Sequence, residues 1–516
     1  METKSRSEKA VKNVTMGLLS KAVVLVLGFI DRKFFITILG EELLGINGLF
    51  SNILLMLSLA EMGLTNVMVL SYYEPLEKHD YEKLSSLTAF YKKIYNTIAV
   101  VIALIGVILI PFLKYIVKLE NPIENMVLIY LIFLANTVFS YLFIYKSTIL
   151  TADQNGHIVT KTQMKFDLLR QVVQIIVLLV FNNIISYLVV KIMFVLFNNL
   201  YLMRCVDKTY PFLDLKHAEK LSKSERKNIA STIKSGFIYK ISSVLLNGTD
   251  NIIISALIGT VWVGMIANYD TVITSITAFI VIIFTSLTSS LGNLNVSAEP
   301  KKKMEIFDVV LFAGFWIALI VVPCCCIMMD DLVALWLGEK YVLDDGILYA
   351  KLGMMYLSCT LNPIFSFREA TGLFRKTKYM IFAGAIVNII LSLVLGKIMG
   401  VSGVLFASIM AMLVTYIWYE PVVLYREHFD SSPFIYFGKH LVNLIKLVSV
   451  VIIATILVDW LQANNWIMLF VKASFCFITV FALSFILMFK SREFVYIKRW
   501  GMRVLVKKNG KRGELS

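Results

Sequence analysis

The sequence predicts an all-α polytopic membrane protein with about fourteen transmembrane helices, arranged as two six-helix bundles plus two C-terminal helices. Three observations predict it. The chain is 58% hydrophobic and only 16% charged, whereas soluble chains carry roughly 25% charged residues. Apolar stretches long enough to span a bilayer follow one another along its length. An internal repeat relates its two halves. A β-barrel is excluded, because barrel strands alternate apolar and polar residues over about ten positions.

The elements follow in order. Residues 14–38 come after a polar, basic stretch, METKSRSEKAVKN, and are long enough to span, so they read as a helix rather than a cleavable signal. Residues 44–71 are interrupted by Glu61 in SLAEMGLTN. Residues 94–113 and 125–145 are uncharged. Residues 166–181 open with Asp167 and Arg170, one turn apart and able to pair. Residues 186–204 complete the first set. Residues 235–258, 263–291, 307–329, 347–366, 379–396 and 402–424 form a second six. Residues 441–458 and 467–489 remain. The expected organisation is a bundle over 1–206, a cytoplasmic linker over 207–234, a bundle over 235–430, two further helices over 431–490 and a basic tail over 491–516.

Loop charge sets the orientation. With the N-terminus inside, nearly all loop Lys and Arg fall on the cytoplasmic side, and the C-terminus returns to that side. The net charge of +15 is thus a product of topology, and no nucleic acid partner is expected. The expected partner is a lipid bilayer, with both termini on its cytoplasmic side. The six cysteines, including Cys324, Cys325 and Cys326, lie in or beside apolar stretches, where they read as helix packing. None is spaced with a histidine for metal, so no metal or cofactor is expected. There is no G-x-x-x-x-G-K-[ST] phosphate loop.

Residues 17–50 and 236–269 align without a gap. Identities fall at Gly17/Gly236, Lys21/Lys240, Leu27/Leu246, Asp31/Asp250, Gly40/Gly259 and Gly45/Gly264. Both copies start inside, so the repeats are parallel and related by an axis along the membrane normal, as in one class of transporter. The glycines read as caps at the outer ends, where a tight turn needs a residue without Cβ. An intramembrane charge costs at least about 2.5–3.5 kcal/mol, so such residues usually face an interior or a water-filled cavity. Lys21 lies about 12 Å into its helix. With Lys240 it offers two ammonium groups suited to an anionic substrate such as a diphosphate. Asp31 and Asp250 lie roughly 15 Å further out. Arg32 and Lys33 beside Asp31 also fit interfacial anchoring. Asp270 and Lys351 are further interior charges, whereas Lys191, Lys446 and Lys472 read as headgroup or inter-helix contacts.

On these features the chain resembles the multidrug/oligosaccharidyl-lipid/polysaccharide (MOP) exporter superfamily, and within it the bacterial flippases for capsule or O-antigen repeat units. The resemblance spans the whole chain and rests on the basic N-terminus, SLAEMGL, NGTDNIIISALIGTVWVGMIANY and a 6+6+2 arrangement. It implies two bundles in a V around a central cavity that opens to each side in turn. It implies an undecaprenyl-diphosphate oligosaccharide as substrate, with its lipid tail left in the bilayer. Energy would come from antiport of an ion, H+ or Na+, or from the product gradient. The family's cationic cavity residues map by position to Lys21, Lys240, Arg32 and Arg170. A multidrug exporter of the superfamily should favour acidic residues over the lysine pair. A lipid II flippase would differ mainly in its glycan. A glycan polymerase or acyltransferase should show a large external loop or a buried histidine, and the sequence offers only 330–346 and histidines in loops or at span edges.

Overall fold

A computed structural model describes residues 6–58, 64–119, 123–297 and 299–499. Glu61 lies outside them, as do the side chains of Lys21 and Lys240. The described residues are helical nearly throughout, with no strand among them. Among the described residues, eight helical segments are long and apolar enough to cross a membrane. The chain divides into two compact units, Met1–Ala267 with Gly396–Gly400, and Asn268–Leu395 with Val401–Ser516.

The first unit holds α1 (Arg6–Leu57), α2 (Leu64–Glu77), α3 (Tyr81–Leu109), α4 (Leu113–Ile116), α5 (Met126–Ala152), α6 (Gly156–Phe181), α7 (Ile184–Thr209) and α8 (Lys223–Leu257). It also holds the start of α9 (Thr260–Ser297). The first expected span and the start of the second run on as one element, α1, within which Gly40, with φ of 84° and ψ of 177°, lies outside the helical region. Glycine adopts that conformation at no steric cost. Local chemistry sets the other starts. Asp80 caps α3 by accepting from Lys83 N at 2.9 Å. Ser222 and Glu225 form a reciprocal capping box at the start of α8. Across α2 and α3, hydroxyls pair as Tyr72 with Thr88 and as Ser71 with Tyr91, at 2.8 and 3.0 Å. Each pairing satisfies polar groups that lipid cannot.

Sequence places the linker between α7 and α8, and the structure ties it to the first unit. Tyr210 donates to Asp153 at 2.8 Å, and the Phe212 ring lies 4.1 Å from that of Tyr81. Asp214 accepts from the His217 ring at 2.7 Å and from the backbone N–H groups of Lys216 and His217. Those bonds hold the Asp214 carboxyl down to about 2, and the same contact raises the His217 imidazole above its ordinary 6.5.

The repeat glycines do two different things. Gly40 has the positive φ expected of a cap. Gly259 does not, and a Cβ there would meet only the Trp262 ring, at 3.8 Å, so the capping role expected for it is corrected. Gly45 and Gly264 instead let two backbones touch. A Cβ on Gly45 would overlap the Thr260 carbonyl, and one on Gly264 would sit 2.7 Å from Gly45 N and 3.2 Å from Glu41 O. Small residues of this kind are what allow membrane helices to pack closely. Around this seam Thr260 N donates to Lys118 O at 2.8 Å, and Ser255 Oγ donates to Ile116 O at 2.8 Å. Lys118 Nζ reaches Leu257 O at 3.1 Å. α8 therefore packs with the first unit although its sequence begins the second repeat.

The second unit holds the rest of α9 with α10 (Pro300–Leu337), α11 (Asp345–Thr371), α12 (Phe374–Val414), α13 (Tyr416–Glu427), α14 (Phe434–Val458) and α15 (Trp466–Met488). Here α10 is the central element, in contact with α11, α14 and α15. Trp316 of α10 donates to Ser484 of α15 at 3.3 Å, and Asn388 donates to Ser408 at 2.6 Å between the two arms of α12.

Gly45→Ala should lower the stability of the purified protein by about 1–3 kcal/mol, the usual range for overpacking. Gly259→Ala should change it by less than about 0.5 kcal/mol. Thermal unfolding in detergent of the two variants beside wild type checks this, and equal midpoints would refute the seam.

Candidate functional site

Each unit carries its own intramembrane charge cluster. In the first, α1 contributes Asp31 and Arg32, α6 contributes Asp167, Arg170 and Gln174, and α7 contributes Tyr187 and Lys191. Tyr187 donates to Asp31 Oδ2 at 2.7 Å, while buried Asp31 Oδ1 accepts no hydrogen bond among the described residues. The Tyr187 ring meets Phe35 edge-on at 5.2 Å, which fixes its position. Arg170 donates to Asp167 Oδ1 at 3.1 Å and to Gln174 Oε1 at 2.7 Å. Buried Gln174 passes the chain on to Tyr187 O at 3.0 Å. Arg170, Arg32 and Lys191 all act electrostatically on Asp31. Arg32 also donates to Gly264 O at 3.3 Å, and the Lys191 ammonium lies 5.1 Å from the Phe133 ring centroid. The cluster thus gathers three cations around one aspartate, with Arg170 already paired to Asp167.

Spacing alone joins Arg170 to Asp167, and the structure confirms that pair. It also brings Asp31, Arg32 and Arg170 together, which sequence distance does not reveal. Tyr187 and Gln174 were missed, because a tyrosine and a glutamine in apolar helices carry no charge signal. Asp250, the repeat equivalent of Asp31, is buried.

In the second unit, Asp270 of α9 pairs with Lys351 of α11 at 2.7 Å. Lys472 of α15 pairs with Asp331 of α10 at 2.6 Å, which makes it an inter-helix contact. Tyr269 donates to Asp330 at 2.6 Å and accepts from Leu343 N at 3.0 Å. A further pair was not anticipated. Arg368 of α11 and Glu420 of α13 meet at 2.6 Å, each 1% exposed, and Arg368 also stacks on the Phe365 ring at 4.6 Å. Arg368 lies two residues beyond the expected span 347–366. His440 lies in the second turn of α14. Expected at a span edge, it packs against Phe315, Tyr356 and Tyr436, and its Nε2 lies 3.3 Å from Tyr356 Oη. Among the described residues no group of three or more His, Cys, Asp or Glu is placed to hold a metal ion.

No family model matches the chain, and no curated protein sequence does. Solved structures do match in fold. A lipid II flippase, MurJ, in an inward closed conformation superposes with a TM-score of 0.68 at 12% identity, over 92% of this chain and 98% of that one. An inward-facing multidrug resistance MATE family transporter of the MOP superfamily gives 0.60 at 14% identity, over 79% and 97%. The MATE multidrug transporter DinF-BH in complex with R6G gives 0.58 at 14%, over 83% and 96%. The chain therefore has the fold shared by MOP superfamily transporters and is a multi-pass membrane protein.

Removing one member of the Arg368–Glu420 pair should cost more than removing both. Arg368→Ala leaves a buried carboxylate and should destabilise the protein by about 3–5 kcal/mol. The double change Arg368→Met with Glu420→Leu should recover most of that loss. Thermal unfolding of the single and double variants tests it, and additive losses would contradict it.

Proposed function

We propose that this protein is a flippase that moves a polyprenyl-diphosphate-linked oligosaccharide repeat unit from the cytoplasmic to the outer leaflet, by alternating access, for cell-surface polysaccharide synthesis. The fold carries this reading. It matches a lipid-substrate transporter over 92% of the chain, against 79% for the MATE transporter. The gathering of Arg32, Arg170 and Lys191 near Asp31 supports it, because cations suit an anionic cargo better than a cationic drug. The expected pair Lys21 and Lys240 would add to that gathering, with Asp250, Asp270, Lys351 and Glu61 as further cavity candidates.

In this scheme the two repeats act as the moving halves, and the Gly45–Gly264 seam must part for the glycan to leave outward. The charge bias places that seam at the outer end, with both termini cytoplasmic. The second reading, a lipid II flippase, is favoured by the MurJ match and differs in the glycan alone.

Complementation tests both. Wild type expressed in a strain lacking its capsule or O-antigen flippase should restore surface polysaccharide. Lys21→Ala, Lys240→Ala and Arg170→Ala, at equal expression, should each reduce it at least tenfold. Rescue of a strain depleted of its lipid II flippase, without rescue of polysaccharide, would establish the second reading instead. Full activity in all three variants would remove the cationic site.

A further inference from the structure

A cavity of about 570 Å3 lies where α3, the linker and the start of α8 meet, away from both charge clusters. Its lining divides by chemistry. Lys93 of α3, Lys220 of the linker and Arg226 of α8 bring three positive charges, and Glu219 brings one negative charge. Ile94 and Ile98 supply an apolar side. Arg226 is held in place by a 2.9 Å bond from Nε to Leu221 O, which leaves its terminal nitrogens for other partners. Among the described residues no carboxylate forms an ion pair with Lys93, Lys220 or Arg226. The net charge of the lining is that of a phosphate binder. Lys83 of α3 pairs with Glu225 of α8 beside it, fastening the two walls together.

The cavity is continued along α3. A second hollow of about 460 Å3 shares Ala89, Lys93 and Thr97 with it and continues to Val100 and Val101. Beyond these, Leu104 and Ile108 are 59% and 63% exposed. Lys93, Thr97, Val101, Leu104 and Ile108 are spaced three or four residues apart, so they share one helix face. Fifteen residues from Lys93 to Ile108 rise about 22 Å. That exceeds half of a hydrocarbon core about 30 Å thick. The pattern is therefore a cationic head site continued by an apolar stripe as long as an acyl chain. A free phosphate would use the first part only.

We propose that α3, the linker and the start of α8 form a binding site for one anionic phospholipid, with its phosphate on Lys93, Lys220 and Arg226 and a chain along the Thr97–Ile108 face. The ligand fastens the linker to α3 at the end that the charge bias assigns to the cytoplasmic leaflet, whose anionic lipids attract clustered Lys and Arg. The site is independent of the transported cargo.

Native mass spectrometry of the full chain, with added phosphatidylglycerol or phosphatidylcholine, tests it. Wild type should retain one phosphatidylglycerol at least tenfold more tightly than phosphatidylcholine. The variant Lys93→Ala/Lys220→Ala/Arg226→Ala should lose that preference, and the charge-keeping variant Lys93→Arg/Lys220→Arg/Arg226→Lys should keep it. The second variant separates lost binding from misfolding. Equal retention of the two lipids by wild type, or an unchanged preference in the alanine variant, overturns the proposal. So does displacement of phosphatidylglycerol by millimolar inorganic phosphate, which would mark a simple anion pocket. A defect in polysaccharide export with these lipid preferences intact would bear on the proposed transport function and leave the lipid site standing.

Discussion

The approach of Gly45 to Gly264 is the constraint on which the rest of the first unit depends. Lipid offers membrane helices no hydrophobic reason to associate, so close backbone packing and interhelical hydrogen bonds must hold them. Here the backbones come so close that no Cβ fits on either residue. The contact draws the outer arm of α1 against the start of α9, and Thr260, Ser255, Ile116 and Lys118 then close hydrogen bonds around it. Arg32 donates to the Gly264 carbonyl and so is positioned by the same seam. Its neighbour Asp31 meets Tyr187 on the opposite wall. A packing feature thus places the charges.

The charges obey a second constraint, that an ion within the bilayer needs a partner. The two units meet it differently. In the second unit, among the described residues, Asp270 pairs with Lys351, Asp331 with Lys472 and Arg368 with Glu420, while Asp330 accepts from Tyr269. In the first unit Asp31 is surrounded by Arg32, Arg170 and Lys191 and bonded to a neutral tyrosine. One-to-one pairs hold helices together. A cluster with several cations around one carboxylate is the kind of place where the proposed anionic cargo would be met.

Much of this was legible in the sequence, and the reasons for the remainder are physical. Apolar runs of the right length locate helices because lipid forces the backbone to bond within each segment. The repeat was legible because glycines and charges are rare enough in apolar stretches for their recurrence to stand out. The role of each glycine was not. Gly40 needs its positive φ, Gly45 and Gly264 need the space, and Gly259 needs neither, yet a letter in the sequence looks the same in all four. The Arg170–Asp167 pair lies within one helix and could be read from spacing. Tyr187, Gln174, Arg368 and His440 depend on which helices are neighbours, and hydropathy does not encode that. α8 shows the same limit, since its sequence opens the second repeat while its packing joins the first unit.

The central claim is that the two repeats meet at this seam and that transport requires it to open. Gly48 and Val263 flank the seam, with the Gly48 Cβ position 3.2 Å from Val263 Cγ1. The most direct measurement is cross-linking of Gly48→Cys with Val263→Cys, with the six native cysteines replaced by serine, in cells where the protein restores surface polysaccharide. Mild oxidation should join the pair in high yield and stop export, and reduction should restore it. Failure to cross-link, or export that continues at the wild-type rate with the pair joined, would contradict the account.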